Sequence, residues 1–169
     1  MRFVATRPLA LNLDVDVVRG ALGAWIDQPH ESGLSARRLA IAMATTHLAH
    51  GHDVIIPQLL TNDSFILELE AVAAATNARF IEIALIVDRD DTINAFNKRS
   101  ASPENQQHRD AHELVQQSGG IERLGDTHDK LMAFLATRHD VRRVHVLRGD
   151  IETTHRRLET AVADLSSKQ

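Results

Sequence analysis

Apolar residues along this chain recur in two alternating rhythms: short unbroken runs, and longer stretches spaced by three and four. Unbroken runs of four to eight fit strands buried on both faces, and the three-four spacing marks one face of a helix. Pro8 to Leu13 (PLALNL), Asp53 to Pro57 (DVIIP), Arg79 to Val87 (RFIEIALIV) and Arg142 to Leu147 (RRVHVL) read as four strands. Helical stretches are predicted over Asp14 to Trp25, Leu34 to His50, the segment capped by Asn62 or Asp63, Asp90 to Arg99, Ile121 to Arg138, and Ile151 to Leu165.

Individual residues sharpen those boundaries. Asp14 stands where an N-cap carboxylate belongs, and Gly51 where a helix ends in the left-handed conformation. Pro29 and Gly33 mark Gln28 to Gly33 as a loop. The helix from Leu34 is predicted to turn Ala36, Leu39, Ala40 and Met43 inward; the one after Asp63 turns in Phe65, Ile66, Leu69, Val72 and Ala73; the one from Ile121 turns in Ile121, Leu124, Leu131 and Leu135. Every predicted strand is followed by a helix. That order points to an α/β fold, a three-layer α-β-α sandwich around a mainly parallel sheet, in one domain spanning 1–169. The polar stretch Ser100 to Gly120 interrupts the pattern and reads either as a mobile lid or as a solvated connection.

Composition narrows the function classes. The length of 169 residues suits one domain, and the net charge of -4 leaves no basic footprint for nucleic acid. Zero cysteines exclude disulfides and thiolate metal sites and fit a reducing compartment. No apolar run reaches the ~18 residues of a membrane helix, and Met1-Arg2-Phe3-Val4 does not open a secretory signal. A soluble cytoplasmic domain is the expectation.

Three strings, LNLDVDVVRG (Leu11 to Gly20), GHDVIIPQ (Gly51 to Gln58) and IVDRDDTINAFNKRS (Ile86 to Ser100), together with the order of elements, resemble the P-loop small-molecule kinases of the zeta-toxin, chloramphenicol phosphotransferase and shikimate kinase group. The resemblance implies a P-loop nucleoside triphosphate hydrolase-like fold, with ATP and Mg²⁺ as cofactors and a small hydroxylated acceptor as substrate. The GxxxxGK[ST] phosphate loop of that group is missing. Arg2 to Arg7 resembles the tail of the helix that follows such a loop, so the chain is expected to begin after the first strand, the loop and most of that helix. Val54 to Ile56 and Ile81 to Val87 then lose their shared neighbour. They are expected to pair directly, to be bridged by another chain, possible homodimerisation included, or to be rearranged.

On this resemblance Asp14 is the proton acceptor of the substrate hydroxyl and Asp16 and Arg19 contact the acceptor. From the residues alone, Asp14 equally caps its helix, and Arg19 equally pairs with Asp16 at i, i+3. Gln58 follows its strand where a magnesium-binding acid often sits, and it is read as a substrate contact. Arg99, after Phe96, matches half of an RFxxR lid pair whose first position is Ala95. Arg99 is therefore expected as the lid cation, with Arg89, Arg109 and Arg148 toward the nucleotide. The bland readings are that Lys98 and Arg99 complement a helix dipole and that Arg148-Gly149-Asp150 is an ordinary turn.

Two histidine sets, His108 with His112 and the group His47, His50 and His52, have metal-compatible spacing but no third ligand fixed by the sequence, and no metal site is assigned. Three functions follow. The first is ATP-dependent phosphoryl transfer in a complete form, impaired in the chain as it stands. The second is a non-catalytic remnant serving binding or dimerisation, and the third a histidine-bound metal protein.

Overall fold

The computed structural model describes residues 2–103, 106–117 and 119–167. Its elements run α1 (Arg2–Ala5), β1 (Leu11–Asn12), α2 (Val15–Gly20), a 3-10 turn (Trp25–Asp27), α3 (Pro29–Ala49), β2 (Val54–Ile55), α4 (Ser64–Ala75), β3 (Ile83–Ile86), α5 (Arg89–Ala101), α6 (Gln106–Gln117), α7 (Gly120–Thr137), β4 (Arg142–His145) and α8 (Ile151–Ser167).

The predicted three-layer fold is corrected here. The structure is dominated by helices, and the four strands among the described residues form two separate two-stranded parallel sheets, β1–β2 and β3–β4. No continuous sheet exists among the described residues, so the P-loop-like architecture is not the fold observed. The reason lies in pairing. Among the described residues β2 has a partner only in β1 and β3 only in β4, and a strand bonded along one edge has little to hold it extended. Pro8 to Leu13 accordingly shrinks to two residues, with Leu9 in the left-handed region at φ 58. Arg79 to Val87 keeps only its last apolar half as β3.

Each sheet has its own apolar cluster. Leu13, Val15, Ala36, Ala40, Ala44 and Phe65 pack together beside β1–β2, with Leu11, Val54, Ile56, Leu69 and Val72 against them. Ile86, Leu135 and Val141 form the second cluster beside β3–β4, with Ala84 and Leu131. α4 buries the face read from its sequence: Phe65, Ile66 and Ala73 are buried. α3 does not. Its inward stripe is Ser32, Ala36, Ala40 and Ala44, and Leu39 and Met43 are 45% and 43% exposed. Small residues let α3 lie close against α2 and α4, and the larger side chains of the helix are left outside. α3 also begins at Pro29, with the proline in its first turn, so the loop expected over Gln28 to Gly33 is instead a helix start.

The polar stretch read as a lid holds α6, which packs on α5 and α7 and touches α2; residues 104, 105 and 118 of that stretch, and the side chain of Ile121, lie outside the described residues. No helix among the described residues is long and apolar enough to cross a membrane.

Candidate functional site

The register Leu11↔Val54 and Asn12↔Ile55 sets Asp14 and Gln58 beyond the same carboxyl end of the β1–β2 pair. Asp14 precedes α2 in extended conformation, and its carboxylate accepts the Asp16 amide at 3.0 Å. Asp16 in turn pairs with Arg19 at 3.0 Å. The Arg19 guanidinium lies 4.8 Å from the centre of the Trp25 ring, which the 3-10 turn places beside α2. Two atoms here are buried without a hydrogen-bond partner, Arg19 Nε and Gln58 Oε1. Both local alternatives of the sequence reading are therefore present: a cap by Asp14 and an i, i+3 ion pair by Arg19.

The carboxyl end of β3–β4 is a second charged edge. Arg148, just past β4, pairs with Asp91 of α5, and Arg89 pairs with Asp129 of α7 at 3.5 Å. Arg89 also passes over Gly125, where a Cβ would stand 2.2 Å from its Nη2. His128 Nε2 donates to the Val87 carbonyl at 3.0 Å. Arg99 is exposed near the end of α5. Arg109 stands elsewhere, lining a shallow cleft of about 360 Å³ with Ser100, Pro103, His112, Glu113 and Gln116. The eight residues read as one site thus do not come together: Asp14, Asp16, Arg19 and Gln58 lie on a first surface, Arg89 and Arg148 on a second and Arg109 on a third, and Arg99 is exposed near the end of α5.

Whether these residues fit a nucleoside triphosphate is decided by the helix starts that follow the strands. Phosphates are held where main-chain amides at a helix N-terminus point into open space beside cations. Here Asp14 and Asp16 occupy the start of α2. Asp88, Asp90 and Asp91 crowd the start of α5, and Asp150, with Glu152, the start of α8. Asp150 accepts the Thr153 amide, which holds its carboxyl below the usual carboxylate range. Asn62 accepts the Ser64 amide at 3.2 Å at the start of α4. Acidic and capping side chains fill the places a polyphosphate would take, so these helix starts do not fit the triphosphate of ATP.

The histidines have local occupations. His47 Nε2 donates to the Leu9 carbonyl at 2.7 Å and stabilises the left-handed turn there. His50 bonds the Thr46 carbonyl of its own helix, and the His47 and His52 rings sit 5.1 Å apart. His112 stacks on Phe96 at 6.3 Å; the side chain of its expected companion His108 lies outside the described residues. No group of three or more metal-ligating side chains stands together among the described residues.

The feature that sequence reasoning reached only as an open seam is in the backbone. Leu11 and Leu13 donate to the Asp53 and Ile55 carbonyls at 2.8 Å each, so alternation turns the amides and carbonyls of Val54 and Ile56 away from β1. Likewise Arg142 donates to the Glu82 carbonyl at 3.3 Å and Val146 to that of Ile86 at 2.9 Å, which turns Ile83, Leu85 and Val87 outward. His128 satisfies the Val87 carbonyl. The outward groups of Val54, Ile56, Ile83 and Leu85 have no hydrogen-bond partner among the described residues. Leu85 is 48% exposed.

Arg138, which no motif singles out, ties the two clusters: it bonds Glu82 beside β3 and Glu70 of α4, the latter at 3.2 Å. These hydrogen bonds, Glu82 foremost, raise its pKa further. No protein-family model, curated protein or solved structure matches this chain.

Proposed function

We propose that this chain is a non-catalytic binding module whose strand edges are closed by a second polypeptide. The observation that supports this most is surface. The chain exposes 10723 Å², against about 8,300 Å² for a compact monomer of its 18.7 kDa, a surplus of about 2,400 Å². Obligate partners each bury about 1,000–2,500 Å². Unpaired edges on two apolar strands are the kind of surface that strand addition covers.

Hydrogen exchange tests this reading. At dilutions where the chain sediments as a monomer, the amides of Val54, Ile56, Ile83 and Leu85 are expected to exchange as open backbone. Slow exchange at those four amides in the monomer would overturn the reading.

Phosphoryl transfer is the second reading. It is favoured by the shared carboxyl edge of Asp14 and Gln58, where open α/β units place ligands. It requires triphosphate-binding residues other than those described. Calorimetry with ATP separates the two: the binding-module reading expects no heat from this chain, and saturable tight binding would favour the kinase reading.

A further inference from the structure

We propose that the second polypeptide is another copy of this chain, docked antiparallel along the outer edge of β3; this rests on the binding-module reading above. Of the two open edges, β3 is the one able to carry a symmetric contact. β2 has two ladder residues and is followed at once by Pro57 after Ile56, and proline has no amide to donate. β3 has four, with outward groups at Ile83 and Leu85 and its far end closed by the bond from His128 to Val87. β4 is its main packing partner, and no element of the first cluster packs substantially on it.

That pattern is self-complementary. With a two-fold axis passing between the Ala84 residues, Ile83 of one copy faces Leu85 of the other, and each such pair exchanges both of its backbone hydrogen bonds. All four outward amides and carbonyls of each β3 are thereby satisfied, and the exposed Leu85 meets Ile83 rather than water. The two sheets become one of four strands, β4–β3–β3–β4. One surface patch serves both partners, which is the requirement of an isologous dimer. The surplus surface sets the scale: about 2,400 Å² per copy lies within what each partner of an obligate dimer buries.

The axis yields a direct test, because the chain has no cysteine. The two Ala84 residues form a non-hydrogen-bonded pair with Cα atoms about 4.5 Å apart, inside the disulfide range of about 4.4–6.8 Å. Full-length chain carrying Ala84→Cys is expected to oxidise to a covalent species of twice 18.7 kDa. Leu67→Cys, at an exposed position of α4, is expected to stay uncross-linked under the same oxidant. Leu85→Lys, which puts two ammonium groups on diagonal positions across the axis, is expected to return the chain to monomer with its helical circular dichroism intact.

A chain that is dimeric while Ala84→Cys fails to cross-link, or while Leu85→Lys stays dimeric, would overturn the β3 contact and leave the binding-module reading standing. A native chain that is monomeric with openly exchanging edges would do the same for the second copy as partner. Slow edge exchange in a monomer would remove both.

Discussion

Arg138 and Glu70 join the two apolar clusters of this chain through a hydrogen bond of 3.2 Å, while Glu82 holds the same guanidinium from beside β3. Arg138 and Glu82 are 22% and 21% exposed at the side chain and Glu70 38%, so the two carboxylates are unequal. Glu82→Ala is expected to cost about 1.5–3 kcal/mol, the range for a hydrogen bond to a charged group. Glu70→Ala is expected to cost about 0.2–1 kcal/mol, the range for exposed pairs. Urea unfolding of the two variants checks the order; equal losses would show that the latch is not built as described.

Asp14 can be tested as a cap without reference to any ligand. Asp14→Ala is expected to lower stability by about 0.5–2 kcal/mol, and Asp14→Asn to leave it nearly unchanged, since either side chain accepts the Asp16 amide. Thermal melts of the pair decide this. A large loss in the asparagine variant would give the charge of Asp14 a role beyond its bond to Asp16.

Asp150 gives the pH dependence. Its carboxyl lies below the usual range because the Thr153 amide donates to it, so the unfolded chain binds its proton more readily than the folded one. Its contribution is fully present above the unfolded pKa of about 3.9 and is lost as pH falls through the folded value. Asp150→Ala is therefore expected to melt below the native chain at pH 7. In strongly acidic buffer the two melting points should converge. A gap that persists there would remove the linkage.

Gly125 carries a prediction of opposite character. Alanine favours a helix interior over glycine by about 0.8–1.0 kcal/mol, but its Cβ would meet the Arg89 guanidinium at 2.2 Å. Arg89 is 47% exposed and able to swing out, at the loss of its pair with Asp129, which is worth about 0.2–1 kcal/mol. Gly125→Ala is expected to be near neutral in the native background and stabilising by the full increment in Arg89→Ala. Chemical denaturation of the four variants closes the cycle.

Local signals in the sequence were read well where the cause is local. Gly51 ends α3 at φ 78, Asn62 caps α4, and the apolar spacing of α4 marks the residues it buries. What was not legible depends on what an element meets. The spacing of α3 cannot say whether its alanines or its leucine and methionine face inward, and the close approach of neighbouring helices chose the alanines. Pro29 punctuates a loop as readily as it opens a helix.

Strand pairing is farther from view. Arg79 to Val87 reads as a long buried strand, yet among the described residues β4 lies along one edge and no strand along the other, and only Ile83–Ile86 is paired as a strand. The candidate site shares that difficulty: Asp14 and Gln58 come to one edge, whereas Arg89 and Arg148 are engaged by Asp129 and Asp91, acids to which the sequence reading gives no role. Arg138 carried no signal, since only the fold brings Glu70 and Glu82 to it.

Sedimentation equilibrium of the full chain over a dilution series bears most directly on the claim that its surface is shaped for a second copy. The expected result is a species of twice 18.7 kDa that dissociates only on strong dilution, with the Ile83 and Leu85 amides losing protection as it does. A single 18.7 kDa species at every concentration would contradict it, whether those amides exchange fast or slowly.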